Sequence, residues 1–181
     1  MRAEGGDPIE RVVLLGYMCS GKSSVGESLA RRLAWEFLDF DVEIERREGR
    51  RVWEIIDGAG EEHFRRLEAE LTREVSGARG VVLAPGGGWV TNPDLLQALR
   101  PGTLSAWLRV SPSETVRRLV EDEADRPLKH HPDPIRPVSA MLQERERLYR
   151  QADLMIPGDG RSVEGLAFEI ETVMRLRSAG G

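Results

Sequence analysis

The sequence predicts an α/β fold of a single domain, residues 1–181, in which a parallel β-sheet is flanked by helices. Short apolar runs alternate with longer helical segments along the chain, and each connection is long enough for a crossover between parallel strands. A glycine-rich stretch, GYMCSGKSS, also follows the first apolar run and precedes the first helical segment. These observations favour a parallel sheet whose functional residues lie in the loops that follow the strands.

Five apolar runs are predicted as strands because each is short and continuous. They are VVLL at 12–15, EFLDF at 36–40, VVLAP at 81–85, TLSAWLRV at 103–110 and DLMIP at 153–157. Val25, Leu29 and Leu33 recur every four residues and predict a helix from Lys22 onward. The charged stretch 41–75 is also predicted as helical.

Several local patterns predict where the later helices begin. Asn92-Pro93 suits an N-cap and first turn for DLLQAL, and the stretch from Ser111 to Glu114 reads as a capping box. A last helix is predicted over 162–177. Residues 121–137 hold four prolines and little apolar periodicity, so we interpret them as a mobile lid or a disordered segment.

The composition excludes several classes of protein. With 40% apolar and 31% charged residues, the chain is an ordinary globular protein. A net charge of −5 without a block of like charge argues against nucleic acid and membrane as partners. Cys19 is the only cysteine, so no intrachain disulfide or multi-cysteine metal site forms. VVLLGYMC is too short to span a membrane and lacks a leader's features, so we expect a cytoplasmic location.

Residues Gly16 to Ser23 match the complete G-x-x-x-x-G-K-[ST] pattern of a phosphate-binding loop. Its glycines let backbone N–H groups curve around phosphate oxygens, next to the positive end of the following helix. Lys22 is one of two lysines among 26 basic residues. A compact ammonium fits there and a broad guanidinium does not. We expect Lys22 to reach the β- and γ-phosphates of a nucleotide and Ser23 to bind Mg²⁺.

Asp39 and Asp41 follow the second predicted strand two residues apart, so both side chains can point into the crevice above the sheet. One carboxylate suits the ordering of Mg²⁺ and its waters, and the other suits proton acceptance from an attacking hydroxyl. The alternative is a helix N-cap plus a solvated carboxylate. The run 86–88, three glycines after the third strand, permits close backbone approach to a ligand, although a flexible turn has the same composition.

Other polar residues carry less information on their own. Arg65, Arg126 and Arg145 resemble surface arginines in an arginine-rich chain, and Arg65 is spaced for a surface ion pair with Glu68. The three histidines have no metal-ligand spacing. Cys19 is interpreted as a small filler of the phosphate loop.

Six segments in a fixed order resemble the shikimate kinase family, among the nucleoside-monophosphate-kinase-like P-loop kinases. They are GYMCSGKSSVGESLARRL, FLDFDVEIERREGR, GEEHFRRLE, VVLAPGGG, DRPL and ERERLYRQAD. The resemblance implies a three-layer P-loop fold with a five-stranded parallel sheet of order 2-3-1-4-5, a lid over about 121–137 and an acceptor-binding helical region over about 41–76. It also implies a monomer that uses ATP and Mg²⁺ to phosphorylate the 3-hydroxyl of shikimate.

The resemblance also implies a role for each matching residue. The implied ATP-binding residues are Gly16, Tyr17, Met18, Cys19, Ser20, Gly21, Lys22, Ser23, Ser24, Arg118 (against adenine) and Arg126 (carried in by the lid). The implied shikimate-binding residues are Asp41, Arg65, Gly86, Gly87, Gly88 and Arg145. Of these, Arg65 and Arg145 hold the carboxylate, with Glu68 steadying Arg65. The implied catalytic residues are Lys22, Arg126 and the base Asp41; Ser23 binds the magnesium ion, which Asp39 contacts through water.

Two positions depart from the family pattern. Pro85 stands where threonine commonly precedes the triple glycine, and Ile56 stands where phenylalanine often lies against the substrate ring. Two alternatives stay open: another small-molecule kinase of the superfamily, acting on gluconate or a nucleotide, and a nucleotide-binding regulatory module without turnover. The paired arginines favour shikimate over a nucleotide, and the intact phosphate loop with Asp41 and Arg126 argues against a regulatory module.

Overall fold

Strands and helices alternate in a computed structural model of the protein, which describes residues 8–122 and 128–179. In that part of the chain the strands are β1 (Arg11–Leu15), β2 (Glu36–Asp39), β3 (Val81–Ala84), β4 (Thr103–Arg109) and β5 (Leu154–Pro157). The helices are α1 (Lys22–Leu33), α2 (Phe40–Glu48), α3 (Val52–Ala59), α4 (Glu61–Val75), α5 (Pro93–Leu99), α6 (Pro112–Glu121), α7 (Ile135–Tyr149) and α8 (Val163–Ala179), with a 3₁₀-helix at Trp89–Thr91. Each strand lies within one residue of its predicted ends.

The strands form one parallel sheet in the order β2-β3-β1-β4-β5, which confirms the predicted fold class and strand order. The central strand is β1, in which Val12 lies opposite Val82 of β3 and Leu104 of β4. Because all strands run in one direction, their carboxyl ends meet at the same edge. The loops after β1, β2 and β3 converge there, and a ligand site is expected at that edge.

Helices cover both faces of the sheet, which explains why the strands are continuously apolar instead of alternating. Val12 and Leu14 belong to the core cluster on the side of α1 and α8. Val13 and Leu15 belong to the cluster on the other side, together with side chains of α2, α4 and α5. All four are nearly or fully buried. The chain thus forms three layers.

The charged stretch 41–75 forms helices α2, α3 and α4, separated at Gly49 and Gly60. Both glycines have a positive φ, 65° and 86°, which lets the chain turn sharply between helices. Asn92 caps α5 as predicted, because its side chain accepts a hydrogen bond from the Asp94 N–H. No helix within residues 8–122 and 128–179 has both the length and the apolar character needed to cross a membrane.

Of the two hydrogen bonds in the capping box predicted for α6, only the one accepted by the Ser111 side chain forms. The prediction was therefore wrong for the second, which the Glu114 side chain would accept. Ser111 Oγ accepts a 3.3 Å hydrogen bond from the Glu114 N–H. The Glu114 carboxylate does not accept a hydrogen bond from the Ser111 N–H, because it pairs with Arg117 and Arg118. The Ser111 N–H donates to Asp159 Oδ1 instead. Arginines on the same helix therefore compete for the Glu114 carboxylate and prevent the second hydrogen bond of the capping box.

A buried arginine ties together the amino-terminal edge of the sheet, opposite the converging loops. Arg11 is 3% exposed. Its guanidinium donates to Thr103 Oγ1 at 3.1 Å and to the carbonyl oxygens of Ala78 (2.5 Å), Leu99 (3.4 Å) and Pro101. These acceptors lie at the entries to β3 and β4, so one side chain of β1 fixes both neighbouring strands.

Candidate active site

The loop between β1 and α1 has the geometry of a phosphate-binding loop. Gly16 has a φ of 154°, and a Cβ atom there would stand 2.9 Å from the Leu108 backbone oxygen, so the turn favours glycine. Gly21 has a φ of 93° and leads directly into α1. Lys22 Nζ donates to the carbonyl oxygens of Gly16 at 2.8 Å and Tyr17 at 3.0 Å. The ammonium therefore lies inside the curve of the loop, where phosphate oxygens bind.

Ser23 and Asp39 form a pair of oxygen donors at the mouth of this loop. Ser23 Oγ donates a 2.5 Å hydrogen bond to Asp39 Oδ2. The other oxygen of Asp39 accepts from the N–H groups of Asp41 and Val42 and so caps α2. The N-cap interpretation of Asp39 is therefore confirmed, while its role toward a magnesium ion stays a prediction. A hydroxyl and a carboxylate are hard oxygen ligands, so the pair fits Mg²⁺.

A cleft of about 550 Å³ joins the phosphate loop to the loops after β2 and β3. It thereby brings together the phosphate loop, the two aspartates and the first two residues of the triple glycine, whereas Gly88, Arg65 and Arg145 do not line it. Its lining includes Met18, Cys19, Ser20, Gly21, Lys22, Ser23, Ser24, Asp39, Asp41, Pro85, Gly86, Gly87 and Arg118.

Two carboxylates meet at the first residue of the triple glycine. A Cβ atom on Gly86 would stand 3.0 Å from Asp41 Oδ1 and 2.9 Å from Glu68 Oε1, so both oxygens face the same small space. Glu68 is fully buried. Burial raises its pKa to about 7; the Arg65 guanidinium opposes this rise and the Asp41 charge adds to it. Glu68 therefore takes up a proton near neutral pH, which limits the negative charge beside Asp41.

Arg65 is oriented by two glutamates of its own helix. Its Nη1 donates to Glu68 Oε2 at 2.6 Å and its Nη2 donates to Glu61 Oε1 at 2.7 Å. The Arg65 side chain is 26% exposed and the Glu68 side chain 0%, so this is not the surface ion pair that the sequence also allowed. Gly88 leaves room for the guanidinium. An oriented and partly exposed guanidinium suits a carboxylate ligand.

Arg145 approaches the triple glycine from α7. Its Nη1 donates to the Gly87 carbonyl at 3.3 Å, and its guanidinium carbon lies 5.8 Å from the centre of the Tyr17 ring. Tyr149, one turn further along α7, donates to the same carbonyl at 2.6 Å. Sequence reasoning missed a role for Tyr149. The available signal was its spacing of four residues from Arg145, which places both on one helix face.

Arg118 reaches the phosphate loop from α6. Its Nη1 donates to the carbonyl oxygens of Cys19 at 3.3 Å and Ser20 at 3.4 Å, and its Nη2 donates to that of Gly158 at 2.9 Å. The guanidinium therefore borders the expected nucleotide site, while its contact with adenine stays a prediction. Arg126, the predicted arginine of the lid, lies outside the described residues.

A model of the shikimate kinase family matches residues 18–175. The chain belongs to the shikimate kinase family. Among its relatives, a shikimate kinase of Moorella thermoacetica is 41% identical over 164 residues, which are 91% of this chain and 94% of that protein. A shikimate kinase of Thermus thermophilus is 37% identical over an alignment of 183 positions, which covers 99% of this chain and 98% of that protein.

Solved structures give the same family. A shikimate kinase from Acinetobacter baumannii in complex with shikimate has a TM-score of 0.85 at 30% identity and covers 94% of this chain and 95% of its own. A gluconokinase from Sinorhizobium meliloti has a TM-score of 0.61 at 17% identity, covering 98% of this chain and 96% of its own, which shows a common fold alone. Sequence and structure therefore agree on shikimate kinase, and the gluconate alternative keeps only the likeness of fold.

Proposed function

We propose that this protein transfers the γ-phosphoryl group of ATP to the 3-hydroxyl of shikimate, giving ADP and shikimate 3-phosphate on the route to chorismate and the aromatic amino acids. The observation that carries the proposal is the single cleft in which Asp41 and the triple glycine face the phosphate loop. Such a cleft would hold a donor of phosphoryl groups and a hydroxyl acceptor side by side. Membership of the shikimate kinase family supports this identity of the acceptor.

Asp41 is the proposed base. It lies on the first turn of α2, in the cleft and beside Gly86. As the 3-hydroxyl oxygen forms its bond to the γ-phosphorus, the bond from that phosphorus to the oxygen of ADP breaks, and the hydroxyl proton passes to Asp41. The buried Glu68, which is partly protonated near neutral pH, keeps the acceptor side from holding two full negative charges.

The phosphate end of the cleft orients ATP. The Lys22 ammonium, which donates to two carbonyl oxygens of the loop, is the proposed partner of the β- and γ-phosphates. Ser23 would hold Mg²⁺ directly and Asp39 would hold it through water, given their 2.5 Å contact. When bound, the ion neutralises phosphate charge. Arg118 is the proposed neighbour of adenine, and Arg126 is proposed from the family resemblance as the arginine that stabilises the transferred group.

The acceptor carboxylate is proposed to bind between Arg65 and Arg145, which border the triple glycine at Gly88 and Gly87. Guanidinium groups bind carboxylates through paired hydrogen bonds, which fix both distance and direction. Fixing the carboxylate would fix the ring, and with it the 3-hydroxyl near Asp41. A monomer is proposed from the family resemblance. A cytoplasmic location is proposed with the pathway.

The test is ADP release by the purified protein with ATP and Mg²⁺ in the presence of shikimate, quinate, gluconate, AMP or no acceptor. We expect release that depends on shikimate and a phosphorylated product with its new phosphate on the 3-oxygen. The Lys22→Met variant, prepared in parallel, controls for kinases of the expression host, because it lacks the phosphate-loop ammonium. Its rate should fall to background.

Release with gluconate or AMP and none with shikimate would overturn the acceptor assignment while keeping the phosphate loop. ATP binding without release for any acceptor would instead favour a regulatory module. Light scattering of the purified protein measures its mass in solution, and a dimer there would contradict the proposed monomer.

A further inference from the structure

One face of α7 borders the candidate active site over three successive turns. Met141, Arg145 and Tyr149 are spaced by four residues and so lie on the same side of the helix. Met141 Sδ accepts a 3.1 Å hydrogen bond from the Tyr17 hydroxyl, and Arg145 lies over the Tyr17 ring. Tyr149 continues this face to the carbonyl of Gly87. The helix therefore contacts both the phosphate loop and the triple glycine.

Gly87 is the point at which these two loops touch. A Cβ atom at this position would stand 3.3 Å from the Met18 nitrogen and 3.4 Å from both the Gly16 oxygen and the Tyr17 Cα. Its α-carbon is thus packed on the backbone of the phosphate loop, while its carbonyl is bonded to α7. The position of Gly87 relates the acceptor side of the cleft to the nucleotide side.

The Tyr149 side chain is built to hold that carbonyl in one place. Tyr149 is 1% exposed, and its ring stacks on Trp107 of β4 with centroids 5.6 Å apart and an angle of 18° between planes. Burial raises the pKa of Tyr149 to about 12, so the hydroxyl keeps its proton and remains a donor at every ordinary pH. A fixed ring and a permanent donor give the 2.6 Å bond a single geometry.

The two donors to the Gly87 carbonyl are unequal. The Tyr149 bond is 2.6 Å long and the Arg145 bond is 3.3 Å long, so Tyr149 supplies the stronger contact. The bond to Gly87 and the interaction with the Tyr149 oxygen use only part of a guanidinium that carries five N–H donors, so donors remain for a ligand. If the hydroxyl were absent, Arg145 would be the remaining donor to a carbonyl that needs one, and it would be drawn toward Gly87.

We propose that Tyr149 is a positioning residue of the acceptor site: its hydroxyl anchors the Gly87 carbonyl and leaves Arg145 free to turn toward the acceptor carboxylate. The inference rests on the proposed function for the identity of the acceptor. It assigns Tyr149 no contact with either substrate. Its effect on the acceptor is transmitted through Arg145, which shares the Gly87 carbonyl with it.

The test is Tyr149→Phe, which keeps the ring and its stacking on Trp107. We expect the dissociation constant and KM for shikimate to rise about five- to tenfold, the size of one lost hydrogen bond. The KM for ATP and kcat should stay within about twofold of the wild type, since the phosphate loop keeps its own contacts. Thr172→Val is the matched control. It also removes a hydroxyl bonded to a backbone carbonyl, that of Phe168 on α8, and should change neither KM.

A double-variant cycle separates this role from a general loss of stability. Because Tyr149 is proposed to act through Arg145, Tyr149→Phe should add little to Arg145→Ala in shikimate affinity. A residue that merely supports the fold would lower affinity by the same factor in both backgrounds. Additive effects would therefore overturn the proposal, as would equal losses of shikimate and ATP affinity, or no loss of either.

Hydrogen exchange tests the anchor without any substrate. Amides of the loop 86–89 should exchange faster in Tyr149→Phe than in the wild type, with the α8 amides unchanged. Equal exchange in the two proteins would overturn the anchor. If wild-type protein fails to bind shikimate, the proposed function fails on that result alone, and the exchange comparison still decides whether Tyr149 holds the loop.

Discussion

Gly88 and the guanidinium of Arg65 are in direct contact, and the space between them has no room for a methyl group. A Cβ atom on Gly88 would stand 2.1 Å from Arg65 Nη2 and 2.6 Å from its Cζ. Because residue 88 has no side chain, the Arg65 guanidinium can lie beside the loop that borders the cleft.

Gly88→Ala should displace Arg65 and weaken acceptor binding. We expect the KM for shikimate to rise by about tenfold or more, since a charge-assisted contact is lost, with little change in the KM for ATP. Gly77→Ala is the control, because a Cβ there would meet nothing within 4 Å. Steady-state kinetics with each substrate varied in turn provide the measurement. An unchanged shikimate KM in Gly88→Ala would remove Arg65 from the acceptor site.

Asp41→Asn should separate binding from chemistry. The amide keeps the size of the carboxylate but accepts no proton at neutral pH, so kcat should fall about 10²- to 10⁴-fold while ATP affinity is retained. Titration calorimetry with an ATP analogue and single-turnover kinetics give the two quantities. Asp94→Asn, an exposed position on α5, is the control for the change of charge. A near-normal kcat in Asp41→Asn would exclude Asp41 as the base.

Glu68 should make stability depend on pH near neutrality. Its folded-state pKa of about 7 lies above the ordinary value of 4.5, so the folded protein holds this proton more tightly than the unfolded chain. The contribution is therefore complete below about pH 4.5 and is lost as pH rises toward 7 and beyond. Urea unfolding of wild type and Glu68→Gln between pH 5 and 8 should show a declining free energy of unfolding only in the wild type.

The control for that experiment is Glu43→Gln. Hydrogen bonds from Arg46 and Arg47 lower the Glu43 pKa to about 2, so its contribution is lost only at acidic pH and the slope between pH 5 and 8 should persist. A wild-type slope that survives in Glu68→Gln would contradict the assignment to Glu68.

The fold was predictable because its determinants are local in sequence. Continuous apolar runs follow from strands buried on both faces, and the phosphate loop is fixed by glycines at set spacings. Asp39 was harder to interpret, since one carboxylate serves as N-cap and as partner of Ser23. The capping box of α6 failed because neighbouring arginines compete for Glu114, a competition that no four-residue pattern contains.

The residues that sequence reasoning missed or undervalued depend on contacts between distant segments. By spacing alone Glu68 looked like half of a surface pair, and the family resemblance implied only that it steadies Arg65. The packing of α4 against the loop after β3 shows that it is also buried beside Asp41. Tyr149 acquires its role from Gly87, 62 residues away in sequence. Burial and long-range partners of this kind are set by the assembled fold and leave no periodic signal in the chain.

Arg11→Met should lower stability without changing the kinetics of the remaining folded enzyme. The change leaves the buried carbonyls of Ala78, Leu99 and Pro101 without their donor, at a cost of about 3 kcal/mol or more in the free energy of unfolding. Arg79→Met is the matched control, because Arg79 is 78% exposed and pairs with Glu10 at 3.3 Å; a change below about 1 kcal/mol is expected. Equal losses in urea unfolding would show that the buried contacts are unimportant.

Because lysine is nearly absent from the chain, the amine of the phosphate loop is one of few groups that an amine-specific reagent can modify. Lys22 and Lys129 are the only side-chain amines in the sequence, and the Lys22 amine lies within the curve of the loop. In most proteins an acylating reagent reacts over the whole surface, but here it leaves the guanidiniums unmodified and meets only the two lysines and the terminal α-amine, of which ATP would protect Lys22 alone. The mass of the acylated protein, measured with and without ATP, would therefore report the occupancy of one site.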